Sequence, residues 1–195
     1  MKENKKASAV LLKYKRLDEL KEIINYLKTF PHLIDEIIVW DNTKINMCGY
    51  GRYLGALEAK NEIIYTQDDD CIVNDIEEIF KAYDGKQLVN NMIKRHIEKY
   101  KNTNHTLPGW GMIFNKSWIK VLNKYIKEYG VDNLFIRDTG RIFTGLVGNW
   151  KTIIADVKIY PSGRDKDSLY KQRNHLKYKK LAIERIDILN KKEQK

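Results

Sequence analysis

Apolar residues along the first half of the chain alternate between short runs and helical spacings. Ala7-Ser-Ala-Val-Leu-Leu12 is a compact apolar run that reads as a buried strand. Leu17, Leu20, Ile23, Ile24, Leu27 and Phe30 then recur every three or four residues, one face of a helix, and Pro31 helps to end it. Ile37-Ile-Val-Trp40 predicts a second buried strand, with Trp40 in the core, ending at the polar turn Asp41-Asn42-Thr43. A loop carrying Gly49 and Gly51 leads into a short helix reaching about Lys60. Ile63-Ile-Tyr-Thr66 is the third strand and runs into Asp68-Asp69-Asp70. Asn74 and Glu77 have capping-box spacing for a helix through Tyr83, closed by Asp84-Gly85.

The second half is less regular. Lys94 to Asn104 is polar and basic and reads as a loop. Pro108-Gly-Trp-Gly111 is a turn before the apolar Met112-Ile-Phe114. Ser117 to Tyr129 has helical spacing and stops at Gly130, and Ile153 to Val157 reads as a strand. Phe143 to Trp150 fits neither template. A basic amphipathic helix runs to the C-terminus, with Tyr178, Leu181, Ala182, Ile186 and Leu189 on one face.

Strands alternating with helices predict an α/β fold, a mostly parallel sheet flanked by helices. In such sheets ligands sit beyond the carboxyl ends of the strands. Those ends here carry Tyr14-Lys-Arg16, Asp41-Asn42 and the three aspartates.

With 195 residues, 43% of them hydrophobic, the chain can bury one core, and a single domain over 1–195 is expected. No apolar run approaches the ~20 residues of a membrane span. Two cysteines, Cys48 and Cys71, make no disulfide framework and have no zinc-site spacing. A cytoplasmic, reducing location is the expectation. The net charge of +10 fits an acidic partner, or a lysine-, asparagine- and isoleucine-rich composition of the kind A/T-rich codons produce. Over residues 171–195, nine Lys and Arg oppose three Asp and Glu.

Three adjacent carboxylates at a strand end repel one another unless a cation or donors compensate. In extended backbone Asp68 and Asp70 face one side and Asp69 the other. A divalent ion accepts such a pair as hard oxygen ligands. A solvated acidic turn is the alternative.

The segment Ile63 to Asp70 resembles the Asp-x-Asp strand end of GT-A-fold nucleotide-sugar glycosyltransferases. The order of the other segments is similar too. Lys13-Tyr-Lys-Arg16 resembles that family's Thr-Tyr-Asn-Arg turn, with lysines at two positions. Asp41-Asn42 resembles its base- and ribose-contacting pair. Gly49 to Ala56 resembles its Gly/Arg-rich stretch, and Pro108 to Phe114 its acceptor-side Gly-aromatic-Gly turn. The likeness covers residues 7–83, a nucleotide-sugar half, and more loosely 107–190. Residues 105–160 would be the acceptor side and 165–195 a basic C-terminal helix.

The resemblance implies transfer of a sugar from a nucleoside-diphosphate sugar, a UDP-sugar first, to an acceptor hydroxyl with Mn²⁺ or Mg²⁺ bound. The acceptor would be a saccharide, a glycolipid or a hydroxylated base in DNA. It implies Asp70 and Asp68 as metal ligands, with Asp68 or Asp69 also at the ribose, and Tyr14, Arg16, Asp41, Asn42 and Arg52 at the nucleotide sugar. His175 would complete the metal shell, with Asp165 or Asp167 assisting. Asp138 would be the base of an inverting transfer, or else a helix N-cap. Trp110 is a stacking platform for the acceptor or a core residue, and His105 lines the acceptor side. Competing readings are a nucleic-acid-binding module without catalysis and a sugar nucleotidyltransferase. The latter wants a glycine-rich loop after the first strand, where this chain has Lys13-Tyr-Lys-Arg16.

Overall fold

A computed structural model describes residues 6–160 and 174–192. Eight strands are formed: β1 (Ala7–Lys13), β2 (Ile34–Asp41), β3 (Ile63–Thr66), β4 (Cys71–Val73), β5 (Leu88–Asn91), β6 (Met112–Asn115), β7 (Trp150–Ile153) and β8 (Val157–Ile159). The helices are α1 (Leu17–Leu27), α2 (Gly51–Leu57), α3 (Ile76–Ala82), α4 (Lys94–Tyr100), α5 (Leu122–Tyr129), α6 (Asn133–Val147) and α7 (His175–Lys192).

Six strands make one sheet in the order β2-β1-β3-β6-β5-β7, and β4 pairs with β8 in a separate ribbon. β1 is parallel to both β2 and β3, and β5 to β7; only β6 runs the other way. Side chains alternate across the sheet. Val10, Ile64, Met112 and Phe114 face a core built with Tyr53, Tyr125, Phe135 and Phe143 from α2, α5 and α6. Ala9, Leu11, Tyr65 and Ile113 face Ile23, Leu27, Ile76 and Ile79 from α1 and α3. The α/β expectation holds, with helices on both faces. No helix among the described residues is long and apolar enough to cross a membrane.

Several local expectations are corrected. Lys94–Tyr100 is a helix, not a loop: the buried Tyr100 anchors it. Leu88–Asn91, which the apolar pattern leaves unassigned, is a fully buried strand. The strand expected over Ile153–Val157 is divided between β7 and β8. Its break is fixed by Asn91 Oδ1, which accepts from the Ala155 N–H at 2.8 Å. Asn74 caps nothing; its amide donates to Asp156 Oδ2 at 2.5 Å, and Asp75 precedes α3 instead. The helix expected from Ser117 starts as a 3₁₀ turn over Lys116–Val121 before α5. Trp40 is half-buried over α2, because β2 is an edge strand.

Candidate active site

Parallel pairing brings the carboxyl ends of β1, β2 and β3 to one edge, with Lys13 opposite Asp41 and Val10 opposite Thr66. Since β6 is reversed, its beginning meets the end of β3: Met112 pairs with Thr66. The Pro108–Gly111 turn therefore lies on the acidic turn, and the Asp68 N–H donates to Gly109 O at 2.8 Å. A Cβ on Gly109 would stand 2.3 Å from Asp68 Oδ2, so only glycine allows this approach.

The acidic turn is built from below by Gln67, a buried residue the sequence patterns do not single out. Its Oε1 accepts from Tyr65 Oη at 2.8 Å and its Nε2 donates to Cys71 O at 2.5 Å. The three carboxylates then diverge. Asp68 accepts from Arg52 Nη2 at 2.5 Å, where the arginine is only 5% exposed and the aspartate 43%. Asp69 pairs with Arg16 Nη1 at 2.7 Å, both partners nearly buried. Asp70 forms no ion pair among the described residues. Burial first, and then the charge of Asp68, push its carboxyl up to about 7. Asp69 is raised too, its burial outweighing the opposing charge of Arg16. One half-buried carboxylate is thus left without an ion-pair partner among the described residues, with the charge of Arg16 opposing the shift only in part.

The remaining expected residues are distributed as follows. Asp41 accepts from Lys13 Nζ at 2.8 Å and from the Thr43 N–H and hydroxyl, which holds its carboxyl well below the usual range. Tyr14 follows β1, with Lys15 Nζ 5.2 Å from its ring centroid. Asn42 is buried, and both ends of its amide are engaged: Nδ2 donates to Cys48 O and Oδ1 accepts from the Met47 N–H, each at 3.1 Å. It shapes the loop that starts α2.

Asp138 sits at a kink within α6 (φ −107°, ψ 18°), between two helical stretches; the first of them is capped by Asp132, which accepts from the Phe135 N–H at 2.7 Å. The kink belongs to the same edge of the sheet. The Arg137 carbonyl lies 3.8 Å from a Cβ built on Gly49, and Gly140 lies against Pro108. Asp138 is 11% exposed and ion-paired with the buried Arg141. Pro108 thus sets the α6 kink beside the turn that lies on Asp68.

Trp110 is half-buried, with the His96 ring 4.9 Å from its own, so it is neither a bare platform nor a core residue. His105 is buried among Tyr100, Asn104 and α6. Desolvation, with Arg141 and Lys179 adding to it, brings its pKa down to about 3, so the ring is neutral, and Nε2 has no hydrogen-bond partner among the described residues. His175 opens α7 near Asp138, Arg141 and Arg137, and burial lowers its pKa. It does not complete a metal shell with Asp68 and Asp70: among the described residues no three His, Cys, Asp or Glu side chains converge to hold an ion. Asp165 and Asp167 lie outside the described residues. What the turn offers is an all-oxygen donor set with an unbalanced carboxylate. That fits a hard divalent cation whose shell is finished by water and substrate phosphate, the usual habit of Mg²⁺.

No protein-family model matches the chain, and no curated sequence matches it. Solved structures do. Glucosyl-3-phosphoglycerate synthase from Mycobacterium tuberculosis, in complex with Mn²⁺, UDP and glucosyl-3-phosphoglycerate, superposes with a TM-score of 0.56 at 12% identity. The match covers 92% of this chain and 80% of that one. The same synthase with Mg²⁺ and UDP gives 0.55 at 12% identity over the same shares. The fold is GT-A. At this identity the likeness concerns architecture; the metal, the UDP and the phosphoglycerate product are the synthase's own. The sheet order accounts for why the β3 end and the Gly109–Trp110 turn of this chain lie together.

Proposed function

We propose that this GT-A domain is a metal-dependent glycosyltransferase that moves a sugar from a nucleoside-diphosphate sugar, a UDP-sugar first, to an acceptor hydroxyl. One observation carries the reading: at the carboxyl end of β3, Asp68 and Asp69 are ion-paired with Arg52 and Arg16, while the half-buried Asp70 forms no ion pair among the described residues. That is a site prepared for a positive charge from outside the chain. Asp70 would hold Mn²⁺ or Mg²⁺, with Asp68 beside it. A bound ion of this kind supplies Lewis-acid stabilisation of the charge that develops on the departing diphosphate.

The chain's own residues do the rest. Arg52 fixes the Asp68 carboxylate, and its buried Nε and Nη1 donate to no group among the described residues. Arg16 and Asp41 form the wall where a nucleotide would lie, and Asn42 keeps the β2–α2 loop in shape behind them. Asp138, aimed by Arg141, is the group that takes the proton from the acceptor hydroxyl as the sugar leaves its phosphate oxygen. The Gly109–Trp110 turn separates the two sides and excludes water from the reacting centre.

A thermal-shift series with UDP- and GDP-sugars, each with and without Mn²⁺, tests this. The expected result is stabilisation by one nucleotide sugar that requires the metal and disappears in Asp70→Ala. No stabilisation by any nucleotide sugar, or an undiminished shift in Asp70→Ala, would overturn it.

A further inference from the structure

The positive charge is not evenly spread. Residues 6–93, which build the donor side, hold eleven Lys and Arg against fifteen Asp and Glu. Residues 94–101 and 175–192, α4 with Lys101 and α7, hold ten against three. A lysine-rich composition alone would raise both counts together; it does not account for an acidic and a basic division of one fold.

The two basic helices meet. Lys179 Nζ lies 5.2 Å from the Tyr100 ring centroid, Lys99 Nζ 5.9 Å from the same ring, and Asn104 donates to Asp187 between the helices. From Tyr100 the band continues through His96 (centroids 6.4 Å apart) to Trp110, next to the glycine that touches Asp68. In the other direction Arg137, beside Asp138, lies 4.8 Å over the Tyr178 ring. Of the few acids here, Glu98 is spent on Lys101 and Asp187 on Asn104. Lys94, Arg95, Lys99, Lys177 and Lys180 are exposed and make no ion pair among the described residues. The histidines in and beside the band, His96, His105 and His175, all have lowered pKa values. Burial is the main cause, with Arg95 and Lys99 adding to it at His96, and Arg141 and Lys179 at His105.

We infer that the α4–α7 band binds single-stranded nucleic acid, its phosphates held by Lys94, Arg95, Lys99, Lys177 and Lys180 and an unstacked base lying at Trp110. A single phosphorylated metabolite needs one or two cations, not five spread over two helices. An anionic polysaccharide has no π-faces for the interleaved rings. Cations that follow a backbone, with aromatic rings between them, are the arrangement that takes a single strand. The inference rests on the glycosyltransferase reading only in naming what would deliver the acceptor hydroxyl to that site; the binding itself needs neither donor nor metal.

Fluorescence anisotropy of a labelled ~30-nucleotide single strand, titrated against the full chain between ~50 and ~200 mM salt, tests it. Binding should weaken steeply with salt. The Lys94→Glu/Arg95→Glu/Lys99→Glu variant should bind at least ~10-fold more weakly, with a log–log salt slope shallower by about 2, since each single-strand phosphate contact contributes about 0.7. Lys177→Glu/Lys180→Glu should weaken binding on its own. Tryptophan emission should be quenched by the strand but not by heparin, and the quench should be lost in Trp110→Phe. Absence of binding at ~50 mM salt, charge-reversed variants that bind like the parent, or a quench equal for heparin would each overturn the inference. The nucleotide-sugar thermal shift, run on the two charge-reversed variants, is expected unchanged. Its loss in the parent would count against the glycosyltransferase reading and leave the strand-binding result standing.

Discussion

The edge at the ends of β1, β2 and β3 and the basic α4–α7 face handle charge in opposite ways. Around β1, β2 and β3 most charges at the strand ends are assigned: Lys13 to Asp41, Arg16 to Asp69, Arg52 to Asp68, with Asp70 the exception. Along α4 and the start of α7 the exposed cations have no acidic partners among the described residues, and the rings between them take up only part of the charge. A paired buried set fixes geometry, whereas a loose exposed set creates a field. The first is suited to a ligand of one shape, the second to a long ligand that is held by charge and arrives in many registers.

The sharpest way to break the contrast is Arg52→Met. It removes a buried cation and leaves Asp68 facing Asp70 unopposed. About 3 kcal/mol of stability should go, the low end for a broken buried pair because Asp68 is partly solvated. Urea melts would read the loss, and a change below about 0.5 kcal/mol would mean the pair positions nothing.

Gly109→Ala is next. Its methyl would land 2.3 Å from Asp68 Oδ2, so the acidic turn must shift, at a cost of about 1–3 kcal/mol. The metal-dependent nucleotide-sugar shift should vanish while the far-ultraviolet dichroism stays native. An alanine variant with the parent's ligand response would show that the turn tolerates displacement.

The two sides should also respond to pH with opposite sign. Asp70 is raised to about 7 from 3.8, so the metal-free fold keeps a proton that the unfolded chain has released. Its contribution is full below the unfolded value and is lost as pH rises through 7. His105 is lowered to about 3 from 6.5; its contribution is full above 6.5 and is lost as pH falls toward 3. Between about pH 4 and 6.5, Asp70→Asn should make the stability–pH slope more positive and His105→Gln should make it less so. Slopes that match the parent in both variants would refute the two assignments. The smallest effect belongs to the basic band: Lys99→Met should leave stability within about 0.5 kcal/mol of the parent.

The sequence makes the donor side far more legible than the acceptor side, for physical reasons. β3 is bounded by residues 63 and 66 in pattern and structure alike, because a fully apolar run ends abruptly in charge. α1 shows its apolar stripe without ambiguity. By contrast β5 carries Asn90 and Asn91 in its buried interior, where Asn90 Oδ1 accepts from Thr152 Oγ1 and Asn91 fixes Ala155. Polar side chains that bond to neighbouring elements hide a strand from any hydrophobic template. α4 offers His96, Ile97 and Tyr100 to the protein and leaves its Lys, Arg and Glu outside, so it has the composition of a loop. The acidic triplet was visible as a cluster, yet which carboxylate lacks a partner depends on arginines sixteen and fifty-three residues away. The kink at Asp138 has no sequence signature beyond an Asp within an otherwise helical stretch.

The reversal of β6 carries an implication for how such a domain diversifies. Since that strand starts where β3 stops, the chain between β5 and β6 leaves the sheet and returns to it at the same edge. All of α4 and the approach to Trp110 are contained in that excursion. A graft that exchanges residues 94–107 for another segment would therefore redraw the acceptor wall while every strand of the sheet kept its neighbour.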